Sequence, residues 1–174
     1  MSMSNFVLAI TGPAGSGKST VATRLAKQIE KCVNIDADYV KHMVANPFIY
    51  DDSSEGISQW ELLGDNIGLI AKNFNRSCYN VIINGYINEP AWRKILEHIE
   101  LTHKVLLLPE LEEVIKRDSL RQESDVMGED AIRVHHDYFS KSHFFDDFTN
   151  IDSTVHTDEE TADDIKNNIL KIGL

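Results

Sequence analysis

The sequence predicts an α/β fold, a mostly parallel sheet covered by helices on both faces. Three patterns predict it. Short apolar runs of strand type recur along the chain. Between them lie stretches whose apolar residues repeat at helical spacing, and this alternation builds βα units rather than hairpins. A glycine-rich loop, residues 12–19 (GPAGSGKS), separates the first run, residues 6–10 (FVLAI), from the first helical stretch. Strand, glycine loop and helix in that order form a recurrent parallel-sheet unit.

The elements follow in order. Val21, Leu25 and Ile29, with Ala22 and Ala26, mark one face of a helix reaching about residue 30. Residues 32–35 (CVNI) form a second strand ending in Asp36-Ala37-Asp38. A helix is expected from Tyr39 to Ala45, and Asn46-Pro47 stops it. After a polar loop at 48–57, Trp60, Leu63, Ile67, Ile70 and Phe74 place a helix near 58–75. Residues 81–83 (VII) form a buried strand, with Asn84-Gly85-Tyr86 at its end. Pro90 suits a first turn, where its missing N–H costs nothing, and its helix runs to about Glu100. Residues 104–108 form a fourth strand, stopped by Pro109. Residues 110–121 are helical, with Leu111, Val114, Ile115 and Leu120 apolar. A polar break at 122–128 leads to a helix at about 129–140. Residues 148–151 supply the last strand, followed by Asp152-Ser153-Thr154. Thr157 and Glu160 spell a capping box, and the closing helix turns Ala162, Ile165, Ile169 and Ile172 inward.

Composition bounds the function. With 174 residues, 42% hydrophobic and 26% charged, the chain suits one globular domain, expected over residues 1–174. The formal net charge of -11 repels a long polyanion such as DNA or RNA, a local basic groove being the exception. Solubility alone accounts for the acidity. Cys32 and Cys78 have neither framework nor metal spacing, which predicts reduced thiols and a cytoplasmic protein. The first strand follows Met1 too closely for a secretion signal, and no apolar run approaches the ~20 residues of a membrane span. A monomer or homodimer is expected.

The loop carries the chemistry. It fits G-x-x-x-x-G-K-[ST], the phosphate-binding loop of nucleoside triphosphate enzymes. Its glycines let successive N–H groups converge on a phosphate chain, and a helix beginning at Gly17 or Lys18 adds the positive end of its dipole. Lys18 reaches the β- and γ-phosphates, and the Ser19 hydroxyl takes a place on Mg²⁺. Gly12, Pro13, Ala14, Gly15, Ser16, Gly17, Lys18, Ser19 and Thr20 are therefore the candidate nucleotide-binding residues. A chance match arises in on the order of 1 in 200 chains of this length. The flanking strand and helix make a glycine turn that binds nothing the weaker alternative. Ligands of open parallel sheets lie beyond the carboxyl ends of the strands. That rule gathers residues 12–19, 36–38, 84–86 and 152–154 around one cleft.

On these residues the chain resembles small P-loop kinases of the nucleoside-monophosphate-kinase fold. The nearest patterns are the shikimate-kinase-like, gluconate-kinase-like and chloramphenicol-phosphotransferase-like groups, often placed with small AAA-type ATP-binding proteins. The likeness runs over essentially the whole chain, with the loop its one highly specific match. It implies a three-layer P-loop NTPase fold with five parallel strands in the order 2-3-1-4-5. It also implies an acceptor-binding segment at about 46–78 and a short lid at about 121–128. The implied activity moves the γ-phosphoryl group of ATP, with Mg²⁺, to a hydroxyl of a small molecule. The alternatives are a nucleoside or nucleotide kinase, and a nucleotide-binding regulatory or toxin-like protein with little kinase activity. Charge argues against a polynucleotide kinase.

The resemblance also suggests roles. Asp36-Ala37-Asp38 resembles the D-x-D after the second strand of shikimate-kinase-like enzymes. This implies Asp36 on the metal side with Ser19, and Asp38 facing the acceptor as general base. A solvated turn is the plain alternative, since Asp is common in turns. Asn84 stands where many P-loop enzymes carry an aspartate, and an amide brings Mg²⁺ no charge. Gly85 is expected to allow close substrate approach, and Tyr86 is a pocket wall or plain packing. Arg117 and Arg121 match arginines on the helix entering the lid, where one stacks on adenine and another neutralises the transferring phosphate. Which of the two is catalytic stays open, and Arg117 also has Glu113 at i,i+4 as a surface partner. Residues 122–128 contain no further basic residue. Asp152, Ser153 and Thr154 match the loop that cups adenine. Arg133 resembles a post-lid arginine that binds substrate carboxylate. His135 and His136 diverge on a helix and are expected at the surface or an interface, and His98 and His103 lack ligand spacing. The acids and amides of residues 46–78 suit a neutral or cationic hydroxylated acceptor.

Overall fold

A computed structural model describes residues 5–122 and 126–172. Its strands are β1 (Val7–Thr11), β2 (Cys32–Asp36), β3 (Asn80–Gly85), β4 (His103–Leu107) and β5 (Thr149–Ile151). They form one sheet in the order β2-β3-β1-β4-β5, with every neighbouring pair parallel. The helices are α1 (Lys18–Lys27), α2 (Ala37–Lys41), α3 (Ser54–Arg76), α4 (Glu89–His98), α5 (Leu111–Ser119), α6 (Glu129–Lys141) and α7 (Asp158–Asp164). A π-helical turn, Ile165–Ile169, continues α7. This is the expected P-loop NTPase architecture, strand order included. Among the described residues, no helix is long and apolar enough to cross a membrane.

Alternation along the central strands divides the core in two. Val7 and Ala9 of β1 face Trp60, Leu63 and Ile67 of α3 and Trp92 and Ile95 of α4. Leu8 and Ile10 face Val21 and Leu25 of α1, Ala162 of α7 and Ile165 of the π-helical turn. Both faces being covered explains why β1 and β3 read as unbroken apolar runs. α3 lies close on α4 because Gly64 presents no side chain: a Cβ there would stand 2.2 Å from the Ala91 carbonyl oxygen.

Caps set the boundaries that periodicity misplaced. α2 begins at Ala37 rather than Tyr39 because Asp36 Oδ1 accepts from Asp38 N at 2.9 Å, which starts the helix at the strand's last residue. The Ser53 hydroxyl accepts from Gly56 N at 3.1 Å and starts α3 at Ser54. Two expected core residues lie outward: Phe74 is 39% exposed against Tyr79, and Leu120 is 77% exposed beyond the end of α5. The expected lid at 121–128 falls partly outside the described residues, at 123–125. Beyond that gap, Met127 N and Gly128 N donate to the buried Asp118 carboxylate at 3.0 and 3.1 Å.

Candidate active site

The loop after β1 turns through Gly12, Gly15 and Gly17 at φ 151°, 82° and 88°, conformations that a β-carbon disfavours. A Cβ on Gly12 would also stand 2.2 Å from the Leu107 carbonyl oxygen, so the loop lies directly against the end of β4. α1 starts at Lys18, within the expected range, and aims its free N–H groups into the loop. Lys18 is buried and its Nζ donates to the Pro13 carbonyl at 3.0 Å. Its pKa is lowered to about 8, chiefly by burial, with Asp38 and Asp36 opposing and Arg121 and Lys41 adding to the drop. Those four charges come from other segments, so Asp36, Asp38, Lys41 and Arg121 all come within electrostatic reach of this lysine.

Asp38 is not a free turn residue. Its Oδ1 binds the buried Lys41 Nζ at 2.5 Å. Burial works to raise its pKa, yet the Lys41 hydrogen bond and charge, with Lys18 and His42, bring it below the usual carboxylate value. The Lys41 ammonium also lies 5.9, 5.2 and 5.8 Å from the ring centroids of Phe48, Tyr50 and Trp60. The segment expected to face the acceptor thus builds an aromatic box around the cation that holds Asp38. Tyr86 joins this wall 5.9 Å from Trp60, half-buried, with burial pushing its hydroxyl up to about 12. Gly85, at φ 147°, has an internal reason to be glycine: a Cβ would stand 2.6 Å from the Ala37 Cβ. Lys41 escaped the sequence reading, although its i,i+3 spacing from Asp38 on a helix was the available signal.

Arg117 ties α5 to the loop after β5. Its Nη2 donates to the Ser153 carbonyl at 2.7 Å and the Thr154 carbonyl at 3.3 Å, while its Nε donates to Glu113 at 3.0 Å. The polar edge of the guanidinium is thereby engaged, and stacking falls to its planar faces. Asp152 Oδ1 accepts from Thr154 N at 2.9 Å, and Glu110 N donates to Thr154 Oγ1 at 2.8 Å, which fixes the loop's shape. Arg121 lies 3.8 Å from Asp118, and its charge acts on Lys18. Arg133 is exposed and pairs with Glu129 at 2.7 Å and Glu112 at 3.7 Å. On α6, His135, expected at the surface or an interface, lies with its ring 4.4 Å from that of Tyr86.

Ser19 and Asp36 line one open cleft of about 530 Å³ with Thr20, Thr23, Arg24 and Asn34. Asn84 lies on the same side of the sheet, alternating with Ile83 and Gly85. Its Nδ2 donates to Asn34 Oδ1 at 2.8 Å, and its own Oδ1 is buried without a protein partner. A hydroxyl, a carboxylate and an amide oxygen are donors of the hard type that Mg²⁺ takes, directly or through water, so these residues fit that ion. Among the described residues, no group of three His, Cys, Asp or Glu side chains could hold a metal, so the ion would lean on ligand phosphates.

Unmet polar atoms converge on this edge. Among the described residues, five buried side-chain atoms lack a protein partner: Ser16 Oγ, Asn84 Oδ1, His135 Nδ1, Ser153 Oγ and Trp92 Nε1. Ser16, Asn84 and Ser153 lie in segments at the carboxyl ends of β1, β3 and β5, and His135 lies against Tyr86, which follows β3. Buried polar groups are ordinarily satisfied, so unmet ones along this edge are candidates for contact with water or a ligand.

A family model described as AAA domain matches residues 7–144. No curated protein matches the chain in sequence. Solved structures share the fold at low identity. A sugar kinase from Janibacter sp. HTCC2649 is 15% identical with a TM-score of 0.71, over 97% of this chain and 96% of that one. Shikimate kinase from Acinetobacter baumannii, solved with shikimate, is 18% identical with a TM-score of 0.64, over 98% and 96%. Thymidylate kinase from Candida albicans is 13% identical with a TM-score of 0.70, over 96% and 92%. At these identities the likeness is one of fold, the small P-loop kinase fold.

Proposed function

The chain belongs to the AAA domain family, and from that premise we propose that it is an ATP- and Mg²⁺-dependent kinase acting on a hydroxyl of a small molecule. The loop carries this reading: Gly12, Gly15 and Gly17 curl it at positive φ, and the buried Lys18 opens α1 with its ammonium against the Pro13 carbonyl. In it, the loop amides and Lys18 hold the β- and γ-phosphates. Ser19, Asp36 and Asn84 would hold Mg²⁺, which supplies charge neutralisation on the phosphate oxygens when bound. Arg117 offers a planar face to adenine, with Asp152, Ser153 and Thr154 shaping its edge. Arg121 is the arginine assigned to the transferring group, because its charge acts on Lys18, whereas Arg117 is tied to the loop after β5.

Asp38, kept anionic by Lys41, orients the acceptor hydroxyl. It takes the proton as the new O–P bond forms and the bond to the ADP oxygen breaks. Residues 46–78 wall the acceptor site with Gly85 and Tyr86, and residues 121–128 act as its lid. Arg133 enters only if an anionic acceptor draws it away from Glu129 and Glu112. A nucleoside acceptor is the second reading, favoured by the clustered rings of Phe48, Tyr50, Trp60 and Tyr86.

The test is ADP release from Mg·ATP across sugars, hydroxylated metabolites, aminoglycoside-like compounds, nucleosides and nucleotides. Asp38→Asn and Lys18→Ala run beside the unaltered chain. The expected result is an acceptor-dependent rate that falls by orders of magnitude in Asp38→Asn and vanishes in Lys18→Ala. A slow rate indifferent to every acceptor and to Asp38 would replace the kinase reading with a nucleotide-binding switch.

A further inference from the structure

Lys41 stands in a place built for a cation. The rings of Phe48 and Trp60, Phe48 and Tyr50, and Tyr50 and Trp60 meet with centroids 4.9, 5.3 and 6.0 Å apart. The Lys41 ammonium lies over all three, 5.9, 5.2 and 5.8 Å from Phe48, Tyr50 and Trp60, and Asp38 Oδ1 supplies the opposite charge at 2.5 Å. Aromatic faces gathered around one ammonium are the arrangement by which proteins recognise organic cations. The surrounding fold fixes this box. Gln59 Oε1 accepts from Ile49 N at 2.9 Å, which pins the loop carrying Phe48 and Tyr50 to α3 beside Trp60. The i,i+3 spacing on α2 puts Asp38 and Lys41 on one helix face. Contacts also join the box to the phosphate loop. Thr11, the residue before Gly12, donates from its hydroxyl to the Gly85 carbonyl at 3.0 Å, and Tyr86 follows Gly85 with its ring 5.9 Å from that of Trp60.

One side of the box is open. Lys41 and Trp60 are buried, whereas Tyr50 is 61% exposed and the Asp38 side chain 46%. Among the described residues, Asp38 Oδ2 accepts no hydrogen bond, so that oxygen is available to a hydroxyl. We infer that Lys41 is a specificity-determining residue: it fills, from within the chain, a site that would otherwise take a cationic group of the acceptor, and so confines the acceptor to neutral hydroxylated compounds. This rests on the kinase reading insofar as the box faces the acceptor. A second ammonium would meet a like charge at the rings and find Asp38 Oδ1 already taken. A neutral hydroxylated compound meets Asp38 Oδ2 and the exposed Tyr50 ring with no such opposition. Lys41 is thus a repulsive element that acts against one class of acceptor. It removes the cationic half of the class expected for residues 46–78.

Tetramethylammonium tests the box without any reaction. Its binding to the full chain, to Lys41→Ala and to Lys41→Met is followed by NMR of its methyl protons, which aromatic faces move upfield, with sodium chloride keeping the ionic strength equal. Lys41→Ala empties the box and should bind the ion about tenfold more tightly than the unaltered chain, the worth of a desolvated cation over aromatic faces. Lys41→Met fills the box with an uncharged chain and should bind as weakly as the unaltered protein. A folded Lys41→Ala that gains no affinity, or an unaltered chain that binds the ion equally well, overturns the proposal. Acceptor pairs on the unaltered chain cover the case in which Lys41→Ala fails to fold. In each pair, a hydroxyl other than the one phosphorylated is replaced by a protonated amine. The amine should lower kcat/KM by about tenfold, and equal values also overturn the assignment. Failure of the kinase reading looks different: no acceptor would raise ADP release, while the three chains would still differ in their binding of tetramethylammonium.

Discussion

Lys18 is the residue on which burial and charge bear most directly. Its pKa of about 8 in the folded chain lies below the ordinary 10.5, so between those values the unfolded chain binds more protons. Stability therefore gains from Lys18 as pH rises from about 8 to 10.5, the burial penalty on the ammonium being fully present below about 8. Phosphate binding needs the ammonium, so affinity for nucleotide should fall over the same window and binding should take up a proton there. Calorimetry in buffers of different ionisation enthalpy reads that proton, and a pH-independent affinity between 8 and 10 would contradict it. The Asp38–Lys41 pair predicts an asymmetry of another kind. The Lys41 side chain is 6% exposed and that of Asp38 46%. Lys41→Met leaves a carboxylate that water still reaches, at a cost of about 1 kcal/mol. Asp38→Ala leaves a buried ammonium with only ring faces around it, at a cost of about 3 kcal/mol. Denaturant unfolding of the two variants checks the order. The phosphate loop was legible because its residues are contiguous. Lys41 and His135 were not, because what gives them meaning, an aromatic box and a stacked tyrosine, comes from outside the helix that carries each.

At the scale of elements, the connection from α5 to α6 depends on one buried acid. Asp118 accepts from Met127 N and Gly128 N and lies 3.8 Å from Arg121. Asp118→Ala leaves two backbone donors unmet and should lower stability by about 1–3 kcal/mol. It should also weaken the effect of Arg121 at the loop, so kcat should fall more than nucleotide affinity. Equal losses in both would assign Asp118 to folding alone. Nothing in its sequence position announced this role, for an aspartate late in a helix ordinarily faces water. The helices themselves were legible from apolar spacing, apart from α2, which ends at Lys41 rather than Ala45, and from errors at two starts. Asp36 and Ser53 explain those errors: a single side-chain oxygen moved the start of α2 by two residues and that of α3 by about four.

At the scale of the molecule, alternation of strands and helices predicted a parallel sheet, but periodicity carries no strand order. The order came from resemblance to known kinases, and physically it lets Asp36, Asn84 and the loop share one edge of the sheet. The proposed acceptor wall was less legible, since Phe48, Tyr50, Trp60 and Tyr86 meet only after the sheet and α3 are in place. That wall has an optical consequence. The chain has two tryptophans; Trp60 lies in the wall 5.8 Å from the Lys41 ammonium, and Trp92 is fully buried against Phe148. In a Trp92→Phe background the indole emission comes from the acceptor wall alone. Any compound that displaces the ammonium or lies on the rings should change its intensity and wavelength before phosphoryl transfer takes place, and emission that stays constant while an acceptor is consumed would place that acceptor elsewhere. On the proposed function, Trp60 would be a built-in fluorescent indicator of the acceptor.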